Sequence, residues 1–177
     1  MKIAVRHVLV LVVLYLSTQG AMADSVVEER AMKAAYLYNF ALFAEWPSLP
    51  DVNFRLCVLG ITQLDDELAH LQGKRVQNGL PIDIRRVLSG DSLMGCQVLY
   101  IDEQNRRALG SLLGQLAATP VLTITDATGF ADQGVMIEMR RQGQRIVFDV
   151  NLFAARQAHL GFSSRLLKLA SFVADRS

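Results

Sequence analysis

What most restricts the fold of this chain is the order of its apolar runs between Phe54 and Thr125. Phe54–Leu59 is a short, mostly apolar run ended by Gly60, and Leu64–Leu71 then recurs at helical spacing before Gly73. Pro81-Ile82-Asp83-Ile84-Arg85-Arg86-Val87 alternates apolar with polar, as a half-exposed strand near a sheet edge does. Cys96–Ile101 is continuously apolar apart from Gln97, as a strand covered on both faces is. Glu103–Leu116 places Leu109, Leu112, Leu113 and Leu116 on one helical side, and Val121–Thr125 returns to strand. Strand, helix and strand in alternation need crossover connections, which predicts one α/β domain with a mainly parallel sheet flanked by helices.

The flanking segments complete that plan. Ser25–Trp46 carries apolar residues at helical spacings, with Glu28 and Glu29 near its start where they suit the helix dipole, and predicts a long helix ended by Trp46-Pro47. After the turn-rich stretch Asp126–Gly134, Val135–Met139 and Ile146–Val150 flank a short polar segment containing Gly143, which predicts a closing antiparallel hairpin near the C-terminus. Asn151 can cap a helix through Gln157 that Gly161 ends. Ser163 or Ser164 can start a last helix with Leu166, Leu167, Leu169, Ala170 and Val173 toward the core.

The amino terminus has the organisation of a secretory signal peptide. Lys2 and Arg6 precede the apolar run Val8–Leu16, and Ala21-Met22-Ala23 offers a small-residue cleavage site. The run is shorter than the roughly 20 apolar residues a membrane span needs. Cleavage after Ala23 is expected, so residues 1–23 are read as the signal peptide and 24–177 as the folded domain. Removal of Lys2 and Arg6 leaves 16 of the 18 basic residues against 17 acidic ones, a formal charge of −1. That balance argues against nucleic acid or anionic lipid as the main partner. Cys57 and Cys96 both lie in the exported part, where an isolated pair favours a disulfide.

Motifs for chemistry are sparse. His70 and His159 have no metal-ligand spacing, no GxSxG frames a serine, and Gly60 lacks the glycine series of a phosphate-binding loop, so no catalytic residue, cofactor or metal is expected. Asp126, at the end of a predicted parallel strand, sits where open α/β sheets bind ligands, and it equally suits capping of its own loop. Tyr36, Tyr38, Phe40, Phe43 and Trp46 cannot all share one helix face. Phe40 aside, these aromatics are candidates for a partner or dimer surface as well as for core. Arg165 and Lys168, three residues apart, form either a solvated basic face or a ligand or partner contact.

Taken in order, these segments resemble the YfiR-like family. The resemblance is carried by Lys33-Ala34-Ala35-Tyr36-Leu37-Tyr38-Asn39-Phe40 running into Glu45-Trp46-Pro47, by Leu56-Cys57-Val58-Leu59-Gly60 and by Cys96-Gln97-Val98-Leu99-Tyr100-Ile101. It continues through Val121–Asp126 with Gly129-Phe130-Ala131, and through Phe148-Asp149-Val150-Asn151-Leu152 leading to Ser163–Leu167. The resemblance implies a periplasmic, dimeric repressor that contacts the periplasmic region of an inner-membrane diguanylate cyclase and lowers cyclic di-GMP and biofilm formation. It also implies an outer-membrane lipoprotein that can sequester the repressor. Cys57 and Cys96 match the family's structural bridge, whereas a second, C-terminal pair found in some relatives is missing. A periplasmic small-molecule receptor or a hydrolase using the strand-end loops is the alternative.

Overall fold

The computed structural model describes residues 26–176; the expected signal peptide and its cleavage site lie outside the described residues. The chain begins in helix α1 (26–43) and continues through strands β1 (Ala44–Glu45) and β2 (Phe54–Leu59) to helix α2 (Asp65–Ala69). A short antiparallel pair, β3 (Arg75–Val76) and β4 (Leu80–Val87), precedes β5 (Val98–Ile101), α3 (Leu109–Gln115) and β6 (Leu122–Thr125). The hairpin β7 (Ile137–Gln142) and β8 (Arg145–Asn151) follows, and then α4 (Leu152–Gln157), β9 (Gly161–Phe162), α5 (Ser164–Leu167) and β10 (Phe172–Ala174).

Eight strands form one sheet in the order β10-β8-β7-β6-β5-β2-β4-β3. β4, β2, β5, β6 and β7 run parallel, in keeping with the alternation of strand and helix, and β8 turns back against β7 as the hairpin expected around Gly143. The chain steps from β2 to β4 on one side, then returns past β2 to β5 and outward. The sheet is therefore wound in two directions, and its switch point lies at the C-terminal ends of β2 and β5.

The two step directions put their helices on opposite faces. Phe54, Leu56, Val58, Val98, Tyr100 and Ile124 face Leu37, Phe40 and Ala41 of α1, with α2 and α4 alongside. Cys57, Leu59, Leu99 and Ile101, from the alternate positions of the same strands, face Leu109 and Leu112 of α3 and Phe130. Both patterns follow from the two-residue period of a strand between two covered faces.

Three expectations need correction. Helix α1 ends at residue 43, not at Trp46, because Ala44 and Glu45 leave the helix to pair with Phe162 and Gly161 of β9. Gly161 accordingly belongs to a strand and does not end α4, which stops at Gln157 as expected, with His159 in a left-handed conformation (φ 58°) after it. The last predicted helix is a single turn, capped by the Ser163 side chain on the Leu166 amide. Its expected continuation becomes β10, parallel to β8, which leaves Leu169 67% exposed and away from the core.

Candidate partner-binding surface

The aromatic residues of α1 are anchored in three directions. Tyr36 and Phe40, four residues apart, reach β8, where their rings lie 5.7 and 4.9 Å from Phe148, and the Tyr36 hydroxyl donates to the Ile146 carbonyl at 3.0 Å. Tyr38 points toward β3, donates to the Arg75 carbonyl at 2.8 Å and lies under the Lys74 ammonium. Trp46 stands edge-on to Phe54 at 5.0 Å. Phe43 lies beneath the Arg165 guanidinium, 5.7 Å from ring centroid to charge. Phe40 is fully buried, while Tyr36, Tyr38, Phe43 and Trp46 each pack on the core and keep part of their surface exposed.

The end of α1 is tied down by a residue that the sequence reading passed over. The Gln77 amide donates to the carbonyls of Ala41, Leu42 and Ala44 at 2.9, 3.0 and 2.9 Å, satisfying acceptors that a helix terminus leaves open. Gln77 is presented by the β3–β4 hairpin, whose turn has Asn78 and Gly79 in left-handed conformation (φ 54° and 80°). An Asn-Gly pair before an alternating strand is the sequence signal that marks such a hairpin.

Asp126 lies at the other end of α1. Its carboxylate takes the Lys33 ammonium at 2.8 Å, Lys33 also reaches Glu29 at 2.9 Å, and Glu29 reaches Arg141 at 3.0 Å. Burial draws the Lys33 pKa down, but hydrogen bonds to Asp126 and Glu29 outweigh it and leave the ammonium more firmly protonated than usual. The Lys33 hydrogen bond also holds Glu29 below the ordinary carboxylate range, against the opposing effect of burial. Capping of the following loop falls to a different carboxylate: buried Glu138 accepts from the amides of Gly129 and Ala131, and Thr125 Oγ1 accepts from Ala127.

Near Asp126, the Tyr100 hydroxyl is buried without a hydrogen-bond partner, and burial, reinforced by Asp126, pushes its pKa far up. Burial likewise raises Asp102, although Asn105 and the Gln104 amide donate to it. The carboxylates of Asp102 and Asp126 at the strand ends are thus drawn into contacts within the chain, and the Tyr100 hydroxyl is left unpartnered beside them. Asp126 and the pair Arg165 and Lys168 do not converge. Lys33 contacts the first and Phe43 the second, and ten helical residues separate those contacts by about 15 Å.

Cys57 and Cys96 form a disulfide with α-carbons 5.8 Å apart. Cys57 sits within β2, whereas Cys96 lies two residues before β5 in a turn, not on the strand as expected. Pairing of β2 with β5 brings the two together on the α3 face. Among the described residues there is no metal-holding cluster of His, Cys, Asp and Glu, and no helix long and apolar enough to cross a membrane.

These features define a doubly wound α/β domain, stapled from its first parallel strand to the turn that precedes the third, with an aromatic helix laid along one face. Residues 30–171 match the model of the YfiR/HmsC-like family, and the chain belongs to that family. At family level this is a group of periplasmic regulators of diguanylate cyclases.

Proposed function

We propose that this protein is a periplasmic repressor that holds an inner-membrane diguanylate cyclase inactive by binding its periplasmic region, lowering cyclic di-GMP and biofilm formation. The observation that carries the reading is the family match over residues 30–171, almost all of the described chain. Export through a cleaved signal peptide places the repressor with that region of the cyclase, and the working form is a homodimer. An outer-membrane lipoprotein that sequesters the repressor would release the cyclase. The protein acts by contact and not by catalysis.

The contact surface we assign is the corner where α1 meets α5. There Phe43 keeps an exposed edge under Arg165, and Lys168 is exposed beside it. An aromatic face with arginine over it is the composition that binding hot spots favour, and the two cations suit an acidic partner surface. Deleting the gene should raise cyclic di-GMP and surface attachment, and restoring it should reverse both. Unchanged cyclic di-GMP in cells containing the cognate cyclase would remove the reading.

A further inference from the structure

At the end of the sheet opposite Asp126, an open cleft of about 660 Å³ lies beside the starts of β5 and β6. Three chain segments wall it: Trp46 to Pro50, the loop Ser92 to Gln97, and the α3–β6 connection with Leu116 and Pro120. The cleft is held open by its frame. The Cys57–Cys96 bridge ties the second wall to β2, and the edge contact of Trp46 on Phe54 pins the first. Met94 stands on the rim, 84% exposed.

The lining decides what can enter. No ionisable side chain borders this cleft. Two other grooves among the described residues are charged: one of about 460 Å³ holds Glu138, Arg140, Asp149 and Arg176, and one of about 190 Å³ holds Glu28, Glu29, Arg141 and Arg145; a third, between α3 and α4, is also free of charge but encloses only about 230 Å³. Two polar groups at the charge-free cleft already have partners, since Gln97 accepts from the Arg55 amide and Thr119 donates to the Leu116 carbonyl. Ser92 Oγ accepts from the Met94 amide, which leaves Ser48, Gln115 and the unpartnered Trp46 indole N–H as scattered polar groups, too few for the run of backbone donors and acceptors that an extended peptide would bring. The volume lies within the range of small-molecule sites, roughly 300–1,000 Å³.

We infer that this cleft is a binding site for an uncharged, predominantly apolar small molecule. The site does not depend on the regulatory reading. Trp46 is the only tryptophan of the chain and lines the cleft, so its fluorescence reports occupancy directly. The test is titration of the purified protein with N-phenyl-1-naphthylamine, a neutral apolar dye, following dye emission and Trp46 quenching together.

Saturable one-to-one binding with quenching is expected. Leu49→Glu, which puts a carboxylate on the wall, should weaken it by at least about tenfold. Met94→Glu, at an exposed position that leaves folding intact, should weaken it several-fold and carries the test alone if Leu49→Glu does not fold. Absence of saturation, binding without quenching, or binding indifferent to Met94→Glu would overturn the inference. Dye binding that disappears as the protein self-associates would assign the cleft to a second copy and overturn it equally.

Discussion

The ammonium of Lys33 lies 2.8 Å from the carboxylate of Asp126, joining the first helix to the end of β6 across 93 residues of sequence. Both side chains are largely covered, 15% and 20% exposed, so the pair falls between a surface ion pair and a fully buried one. Lys33→Met would leave Asp126 and Glu29 without their shared cation and should cost about 1–2 kcal/mol. A double-mutant cycle with Asp126→Asn, read by urea denaturation, should return a coupling of about 1 kcal/mol. Zero coupling would make the contact incidental.

The same cluster sets a pH dependence. Glu29 has a depressed pKa in the fold, so its contribution is complete above the ordinary glutamate value and is lost as pH falls through the lower folded value. Asp102 works in the opposite sense. Its folded pKa is raised, so it favours the folded state as pH falls toward the ordinary aspartate value and opposes it once pH exceeds the raised one. Glu29→Gln should therefore flatten the acid limb of the stability curve, and Asp102→Asn should remove the decline on its high-pH side. Melting temperatures between pH 3 and 8 give both, and superimposable curves for wild type and variants would refute them.

Gln77→Ala should destabilise the protein by about 1–3 kcal/mol, because three carbonyls at the end of α1 lose their donor in a partly covered site. Hydrogen exchange should rise first at the end of α1 and in the β3–β4 hairpin. An effect below about 0.5 kcal/mol, the level of an ordinary surface change, would mean that water replaces the amide.

The parts that were legible in the sequence are those governed by local periodicity. β2 has the bounds that its apolar run predicts, and Asn151 caps α4 through its side chain on the Ala154 amide. The mainly parallel sheet was accessible because strands alternating with helices need crossover connections. What escaped depends on partners distant in sequence. Ala44 leaves a helical pattern only because Phe162 supplies a bridge, and Phe172–Ala174 becomes a strand because β8 offers an edge. The role of Asp126 was equally hidden. Its position suggested a loop cap, but Glu138, a carboxylate at a buried position of β7, takes that work and frees Asp126 for Lys33.

Opening the disulfide should be costly for a related reason, since it joins segments 39 residues apart. In the chain-entropy model such a loop corresponds to about 4 kcal/mol, a large part of a typical domain stability of about 5–15 kcal/mol. Cys57→Ser and Cys96→Ser should each lower the melting temperature and the amount of protein accumulating in the periplasm. Thiol titration of the denatured, unreduced protein should find no free thiol; two would show that the bridge does not form in cells.

Under the proposed function, repression should be separable from folding at the α1–α5 corner. Arg165 and Lys168 are exposed, and neither forms an ion pair within the described residues, so reversing their charge should change stability by no more than about 0.5 kcal/mol. If Phe43 and Arg165 form a hot spot for an acidic partner surface, Phe43→Ala or Arg165→Glu should each cost about 2 kcal/mol or more of binding. That is roughly a thirtyfold loss of affinity. Cells carrying Arg165→Glu together with Lys168→Glu should then show cyclic di-GMP close to the deletion level, with the repressor present at normal abundance and melting temperature. Phe43→Ala needs the same controls, because its ring also packs against the core. A charge-reversed protein that is folded, abundant and fully repressive would move the contact surface elsewhere on the molecule while leaving the regulatory assignment intact.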